Sequence, residues 1–284
     1  MAEPKVAGTH MVVVLDGHEV GTVAYLTGGK HVRSITEGDA RFSLKGSEWT
    51  SVAQVEPYVV ETGLLRPMAD WIDATLSKRY SRREFELRQG RGERAASFRA
   101  YDCMITEIAF PALDRRSSGD ALLKLKVQPE RVQSGRTGVQ RRNSPPMLPL
   151  SGGKFRLAID GALDGTEVQR VDPFSFRLGM RTHYLGTERA LSVEPAKLEM
   201  PRLSIQVGSA QARRLKEWGD ATLVDGRPGA MPPRNGRLEL FTRSGSHAAT
   251  LQFGDMHLTS LQQSNGASTT VVLGMGSASL RLAR

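Results

Sequence analysis

Two carboxylates, Asp73 and Asp220, stand at the same place in a hexapeptide that the chain writes twice, Trp71-Ile72-Asp73-Ala74-Thr75-Leu76 and Trp218-Gly219-Asp220-Ala221-Thr222-Leu223. Paired acids are what general acid–base catalysis needs, provided they meet across one substrate. Here a whole repeat separates them, and each lies in a helical pattern with Ala and Thr, where a short carboxylate hydrogen-bonds the local helix backbone. The other chemistry-bearing residues are no better grouped. His10, His18, His31, His183, His247 and His257 are scattered, and His18-Glu19 lacks the second histidine one helical turn away that a metal site requires. Gly90-Arg91-Gly92 and Gly274-Met275-Gly276 lack both a third glycine and the strand-to-helix context of a phosphate cradle. No Gly-x-Ser-x-Gly elbow occurs. The expectation is a protein with no catalytic, cofactor or metal site.

Cys103 is the one cysteine, so no intramolecular disulfide can form. Its neighbours Met104, Ile105 and Ile108 suggest a buried strand and not an electropositive reactive site. With 39 Lys and Arg against 30 Asp and Glu, the net charge is +9. A basic chain gains affinity for nucleic acid by counterion release. Most of this charge nonetheless alternates with apolar residues, as Lys124 and Lys126 do between Leu123, Leu125 and Val127, which describes a solvated strand face. The exception is Arg131, Arg136, Arg141 and Arg142, a run with no acid among them and the candidate partner-binding cluster. A basic β-barrel that binds nucleic acid is the alternative from another class. It would need aromatics interleaved with Lys and Arg on one face, whereas the aromatics here fall on core positions. No apolar run approaches the ~20 residues that span a bilayer, and Met1 to Lys5 has no signal core. No membrane insertion is expected, and assembly is expected in a cytoplasm.

The elements that must carry these residues are mostly strands. Met11 to Leu15 is an apolar run closed by the turn dipeptide Asp16-Gly17. Arg41 to Lys45 alternates with period two, between turn signals at Gly28-Gly29 and Glu37-Gly38-Asp39. Pro67 suits a first helical turn, and Met68, Trp71, Ile72, Thr75 and Leu76 then form one apolar stripe. Ser209 is the matching N-cap in the second half, with Leu215, Trp218, Thr222 and Leu223 rebuilding that stripe. Trp71, Leu76, Trp218 and Leu223 are accordingly expected in the structural core, and Gly219 in place of Ile72 implies different packing there. Strands are expected near Phe85–Leu87, Cys103–Ile108 and Leu122–Val127, with partners near Leu238–Phe241, Met256–Leu261 and Thr270–Met275.

The repeat extends past the hexapeptide. Val13-Val14-Leu15-Asp16-Gly17 corresponds to Leu157-Ala158-Ile159-Asp160-Gly161, and Asp102 to Ile108 corresponds to Asp255 to Leu261. The pattern predicts a mainly β (α+β) fold of two tandem barrels, each with one flanking helix. The expected division is a first barrel at 1–127, a Pro-, Gly- and Arg-rich linker at 128–154, and a second barrel at 155–284.

The grammar of the first half resembles the tube proteins of contractile phage tails and related contractile injection systems. The residues that carry it are Tyr58 to Leu65 leading into Trp71-Ile72, then Ala100 to Asp114 followed by Leu123 to Val127. The second half matches through Leu203 to Val207 and Trp218. The resemblance implies a split β-barrel packed on its helix, and a ring of six barrels around a channel for DNA or protein cargo. It implies no catalytic residues. Two diverged barrels in one chain imply trimeric rings or hexameric rings. The implied partners are neighbouring tube rings, sheath or baseplate proteins, with a baseplate hub that adapts tube to spike as the alternative place. The implied setting is a virion tail or injection particle assembled in the bacterial cytoplasm.

Overall fold

The computed structural model describes residues 11–28, 31–34, 52–64, 66–89, 96–136, 149–185, 190–223, 233–263 and 268–283. The strand expected at Arg41 to Lys45, the turn at Glu37 to Asp39, and Arg141 and Arg142 lie outside them.

The first half opens with the hairpin β1 (Met11–Leu15) and β2 (His18–Val23). Its turn residues Asp16 and Gly17 have φ of 50° and 80°, the left-handed pair that a two-residue turn needs to match strand twist. There follow β3 (Tyr25–Thr27), β4 (His31–Ser34), β5 (Val52–Val55), β6 (Tyr58–Thr62), α1 (Arg66–Leu76), β7 (Arg83–Gln89) and β8 (Ala96–Phe110). The half closes with β9 (Leu113–Asp114), β10 (Asp120–Ala121), β11 (Leu123–Gln128) and β12 (Arg131–Arg136). The second half comprises β13 (Leu150–Ile159), β14 (Leu163–Gly165), β15 (Val168–Val171), β16 (Phe174–Leu185), β17 (Ala190–Glu199) and β18 (Leu203–Gly208). It ends with α2 (Ser209–Leu223), β19 (Arg234–Thr242), β20 (His247–Gln263), β21 (Ser268–Gly274) and β22 (Ser277–Leu282).

Hydrogen bonding in the first half runs β2-β1-β7-β8-β11-β6-β3, antiparallel throughout, with β12 also on β8. Because β2 and β3 are separated only by Ala24, one bent segment ends the sheet at both sides, and the sheet curls toward closure. The second half repeats the plan, with β14-β13-β19-β20-β21-β18-β15 and β22 on β20. The irregularities recur too. Between Arg83↔Cys103 and Phe85↔Ala100 the ladder slips, and it slips identically between Arg234↔Met256 and Gly236↔Phe253. At each slip one aspartate takes a left-handed conformation, Asp102 with φ 54° and Asp255 with φ 55°. An extra residue in one strand sharpens its bend, which lets β8 and β20 each serve two faces of a barrel.

Alternation of side chains explains which residues fill each interior. Leu123, Leu125 and Val127 are buried while Lys124 faces solvent, and Phe155, Leu157 and Ile159 are buried while Arg156 faces solvent. Helix α1 lies against β2 and β8 of its own half and chiefly against β22 of the second, and α2 lies against β18, β20 and β21. Trp71 is fully buried, and its indole N–H donates to the Ser81 carbonyl at 3.0 Å. The helix ends with Lys78 at φ 59° and with Arg79 N–H donating to the Ala74 carbonyl, a left-handed C-terminal cap on a residue other than glycine. In α2, Trp218 is buried at 4% exposure with the Arg234 guanidinium 5.1 Å above its ring. Leu76 is buried, and Leu223 ends α2. Cys103 is fully buried, and burial raises its thiol far above the ordinary range, as expected of a core cysteine.

The linker expected at 128–154 needs correction at both ends. Arg131–Arg136 is strand β12, paired along β8 from Arg131↔Tyr101 to Arg136↔Ala96, and Leu150 already belongs to β13. A strand held by its backbone ladder, with Val132 as its one large apolar side chain, leaves no hydropathy period to read. The two halves are also not separate at their seam, as described below.

Gly219 faces Leu258 so closely that a Cβ there would sit 2.2 Å from Leu258 Cδ2. The first half has Ile72 and Ile105 at these places, so the helix has lost a side chain opposite a strand residue of equal size, and Leu258 fills the space. Gly219→Ile should overpack the site and destabilise the fold by about 1–3 kcal/mol in urea denaturation. Adding Leu258→Ala should recover part of that loss.

Burial, followed by the neighbouring Cys103 sulfur, pushes the Tyr58 hydroxyl up to about 12. The neutral phenol therefore stabilises the fold below the unfolded value of ~10, and this stabilisation is lost as pH rises from ~10 through 12. Tyr58→Phe should move the alkaline unfolding midpoint upward.

Candidate assembly interface

Where the halves meet, sheets cross from one to the other. β8 carries β7 along one edge up to Cys103 and then, on that same edge, accepts β16 of the second half. The register runs Phe174↔Phe110, Ser175↔Ala109, Phe176↔Ile108 and Arg177↔Glu107. In return, β9 of the first half pairs with β15, and β10 pairs with β13. An edge strand left open is a template for association, and here each half covers an edge of the other.

Three aromatics fill the seam. Phe110 and Phe174 stack with centroids 4.9 Å apart and planes 7° from parallel, and Phe176 meets both edge-on at 6.3 and 6.0 Å. All three are buried, so this cluster combines area burial with favourable ring geometry. Outside it, Arg177 Nε donates to Glu107 at 3.4 Å on an exposed face.

Polar clamps lock the hairpin β16–β17 against the first half. Arg82 pairs with Glu130 and donates from Nη2 to the Val193 carbonyl at 2.6 Å. The Val193 N–H donates to Glu130 Oε1 at 2.7 Å, so both backbone groups of this buried residue in β17 are held by the first half. Arg115, just past β9, donates from Nε to the Val168 carbonyl at 2.7 Å and from Nη2 to the Phe155 and Gly165 carbonyls, both at 3.3 Å. Its guanidinium lies 5.2 Å from the Phe155 ring centroid. Desolvation there, and the nearby Arg156, lower its pKa.

The helix aspartate belongs to the same joint. Asp73 Oδ2 pairs with Arg79 at 2.9 Å, while Oδ1 accepts the Leu280 N–H of β22 at 2.9 Å. The carboxylate thus meets a side chain past the helix end and a backbone N–H across the seam, in place of the local helix backbone expected from the sequence, with Ala69, Ile72 and Leu76 buried on the same helix. Asp220 in α2 is exposed, and its contact is Lys216 at 3.9 Å.

Of the four arginines proposed for partner binding, Arg131 is the one whose side chain lies among the described residues. Arg131 Nη2 lies 3.2 Å from Asp102 Oδ2 and its guanidinium 5.4 Å from the Tyr101 ring, so an acid absent from its own segment balances it across the ladder. Arg136 ends β12. No group of three or more His, Cys, Asp and Glu among the described residues is placed to hold a metal ion. No helix among them is long and apolar enough to cross a membrane. Sequence reasoning missed Phe174 and Phe176, although Phe174, Phe176, Leu178 and Met180 alternate as a strand should. Arg115, between Asp114 and Arg116, carries no signal of its role.

Phe176→Ala should cost about 3–5 kcal/mol, because the site is sealed from both halves and cannot readily collapse. Hydrogen exchange in this variant should quicken in both β8 and β16, not in β16 alone.

No protein-family model matches the chain, and no curated protein sequence matches it. Among solved structures, the cryo-EM structure of the anti-feeding prophage cap, a tube-terminating cap, is similar with a TM-score of 0.38 and 13% identity. The likeness covers 52% of this chain and 97% of that one. A chain of the sheath-tube complex of the PVC extracellular contractile injection system, in its extended state, gives a TM-score of 0.35 and 12% identity. It covers 46% of this chain and 89% of that chain.

Proposed function

We propose that this chain is a structural subunit of the inner tube of a contractile phage tail or contractile injection system. Three copies close a ring of six barrels around a channel that passes DNA or protein cargo. The observation that carries the reading is the seam: two barrels of one topology are joined by strands that continue from one into the other. A unit joined side by side in this way is suited to rings, because a head-to-tail contact closes when its rotation divides a full turn. The Trp-bearing helices and the Tyr58 to Val127 grammar supply the resemblance to tube proteins.

A baseplate hub that adapts tube to spike is the second reading. It is favoured by the divergence of the halves, since the Arg82–Glu130 clamp has Pro233 and Gly276 at the corresponding places of the second half. Three chains with alternating barrels present a three-fold pattern on a six-barrel ring. Neighbouring rings, sheath or baseplate proteins are the proposed partners, and assembly takes place in the bacterial cytoplasm. With Arg131 engaged by Asp102, docking of such a partner falls mainly to Arg136, Arg141 and Arg142.

Negative-stain electron microscopy together with native mass measurement tests the proposal on the purified chain. Rings with six lobes and three chains are expected. Six chains per ring would replace the trimer by a hexamer, and a persistent monomer at tens of micromolar would overturn the reading. Replacing Arg136, Arg141 and Arg142 with Ser should leave the rings intact and weaken, in a salt-sensitive manner, their stacking or attachment to sheath.

A further inference from the structure

The joint inside the chain has an exact but unfilled counterpart at the chain's far end. In β8, β11 and β12 follow one edge, and the other edge is taken by β7 and then by β16. In β20, β21 and β22 follow the equivalent edge and β19 pairs as far as Met256. Beyond that point no strand among the described residues pairs with the second edge of Ser260–Gln263. The registers fix the correspondence residue by residue. Lys126↔Glu107 and Leu125↔Ile108 in the first half stand where Val272↔Ser260 and Val271↔Leu261 stand in the second. The open segment is therefore the place where β16 would lie.

The missing strand also exists. β4 and β5 follow β3 as β16 and β17 follow β15, and among the described residues they pair only with each other. Leu26↔Val60 corresponds to Val171↔Ile205, and Val32↔Gln54 then corresponds to Arg177↔Glu199. His31 and Val32 thus hold the positions of Phe176 and Arg177. The helix supplies a third equivalent. Asp73 receives the Leu280 N–H, Asp220 is the exposed counterpart of Asp73, and Ser134 of β12 is the register counterpart of Leu280.

We infer that a second copy of this chain docks on the open edge of β20, adding its β4 in the register Val32↔Ser260 and His31↔Leu261, while Asp220 accepts the Ser134 N–H of that copy. This rests on the ring reading and specifies its joint. The contact is heterologous, with the second half of one copy meeting the first half of the next. The joint between chains lacks the equivalents of Arg82 and Glu130, which are Pro233 and Gly276, and the β9–β10 excursion that carries Arg115, because β20 and β21 are only a short connection apart. It is accordingly the weaker of the two joints, the one expected to open on dilution while the seam within each chain stays closed.

Directly opposed residues of an antiparallel pair have Cα atoms about 4.5 or 5.5 Å apart, within the about 4.4–6.8 Å that a disulfide spans. The full chain carrying Val32→Cys and Ser260→Cys, oxidised with copper phenanthroline, should give covalent dimers and trimers that reductant reverses. Either single variant should give none, since the native Cys103 is fully buried. Glu107→Cys with Arg177→Cys, the equivalent pair inside the chain, should cross-link without leaving monomer mass. His31→Cys with Leu261→Cys, the next pair in register, replaces the first where that variant does not fold. Rings that form without either intermolecular cross-link, while the internal pair closes, would overturn this joint and leave the ring reading standing. Cross-links that extend past three chains into open polymers would uphold the joint and overturn the ring. No assembly and no cross-link would overturn both.

Discussion

A β-strand presents a row of backbone donors and acceptors on each edge, and both rows must be satisfied wherever they are buried. The seventeen residues of β20 and the fifteen of β8 are too long for any one neighbour to cover. β8 meets the constraint by recruiting four partners, two on each edge, and the last of them comes from the other half of the chain. Everything else at the seam follows from that pairing. Phe174 and Phe176 are brought over Phe110 because β16 must lie beside β8, and Arg82 and Glu130 grip Val193 because β17 must follow β16.

The bends that let one strand serve two faces come from single residues. Asp102 and Asp255 adopt left-handed φ at matching slips in the ladder, an energetic cost for a residue that carries a Cβ. Asp102 recovers part of it through Arg131, whose strand lies on the neighbouring edge. The halves keep this device while packing differently elsewhere, as Ile72 with Ile105 against Gly219 with Leu258 shows. The strand residue keeps its size, and the side chain lost from the helix is made good by Leu258 lying directly against Gly219.

Among the described residues, many of the arginines are held in local pairs with acids. Glu86, 7% exposed, is met by Arg88 at 2.9 Å and Arg99 at 3.3 Å, and Glu19 by Arg88 at 3.3 Å. Glu167 would be raised by burial, but hydrogen bonds from Asp164 N–H, Gln211 and Arg214 outweigh this and lower its pKa, tying α2 to the β14–β15 turn. Arginine is suited to this work because its fixed fork can reach a carboxylate and a carbonyl together, as Arg82 does.

Local chemistry was legible in the sequence alone. The Asp16-Gly17 turn, the stripe around Trp71, the alternation of Leu123 to Val127 and the mainly β character each depend on neighbours a few positions apart, and the repeated hexapeptide announced two similar halves. What those halves do to each other was not legible. Phe174 and Phe176 alternate like any strand, and nothing in that alternation says that the strand belongs beside Phe110. The polar run Arg131 to Arg136 looked like linker because its pairing along β8 leaves no hydropathy period to read. Asp73 and Asp220 are identical in their hexapeptides, yet one receives the Leu280 N–H and the other faces solvent. Backbone edges are the same for every residue type, so which edge meets which is written in no side chain and is decided only when the barrels are folded and set side by side.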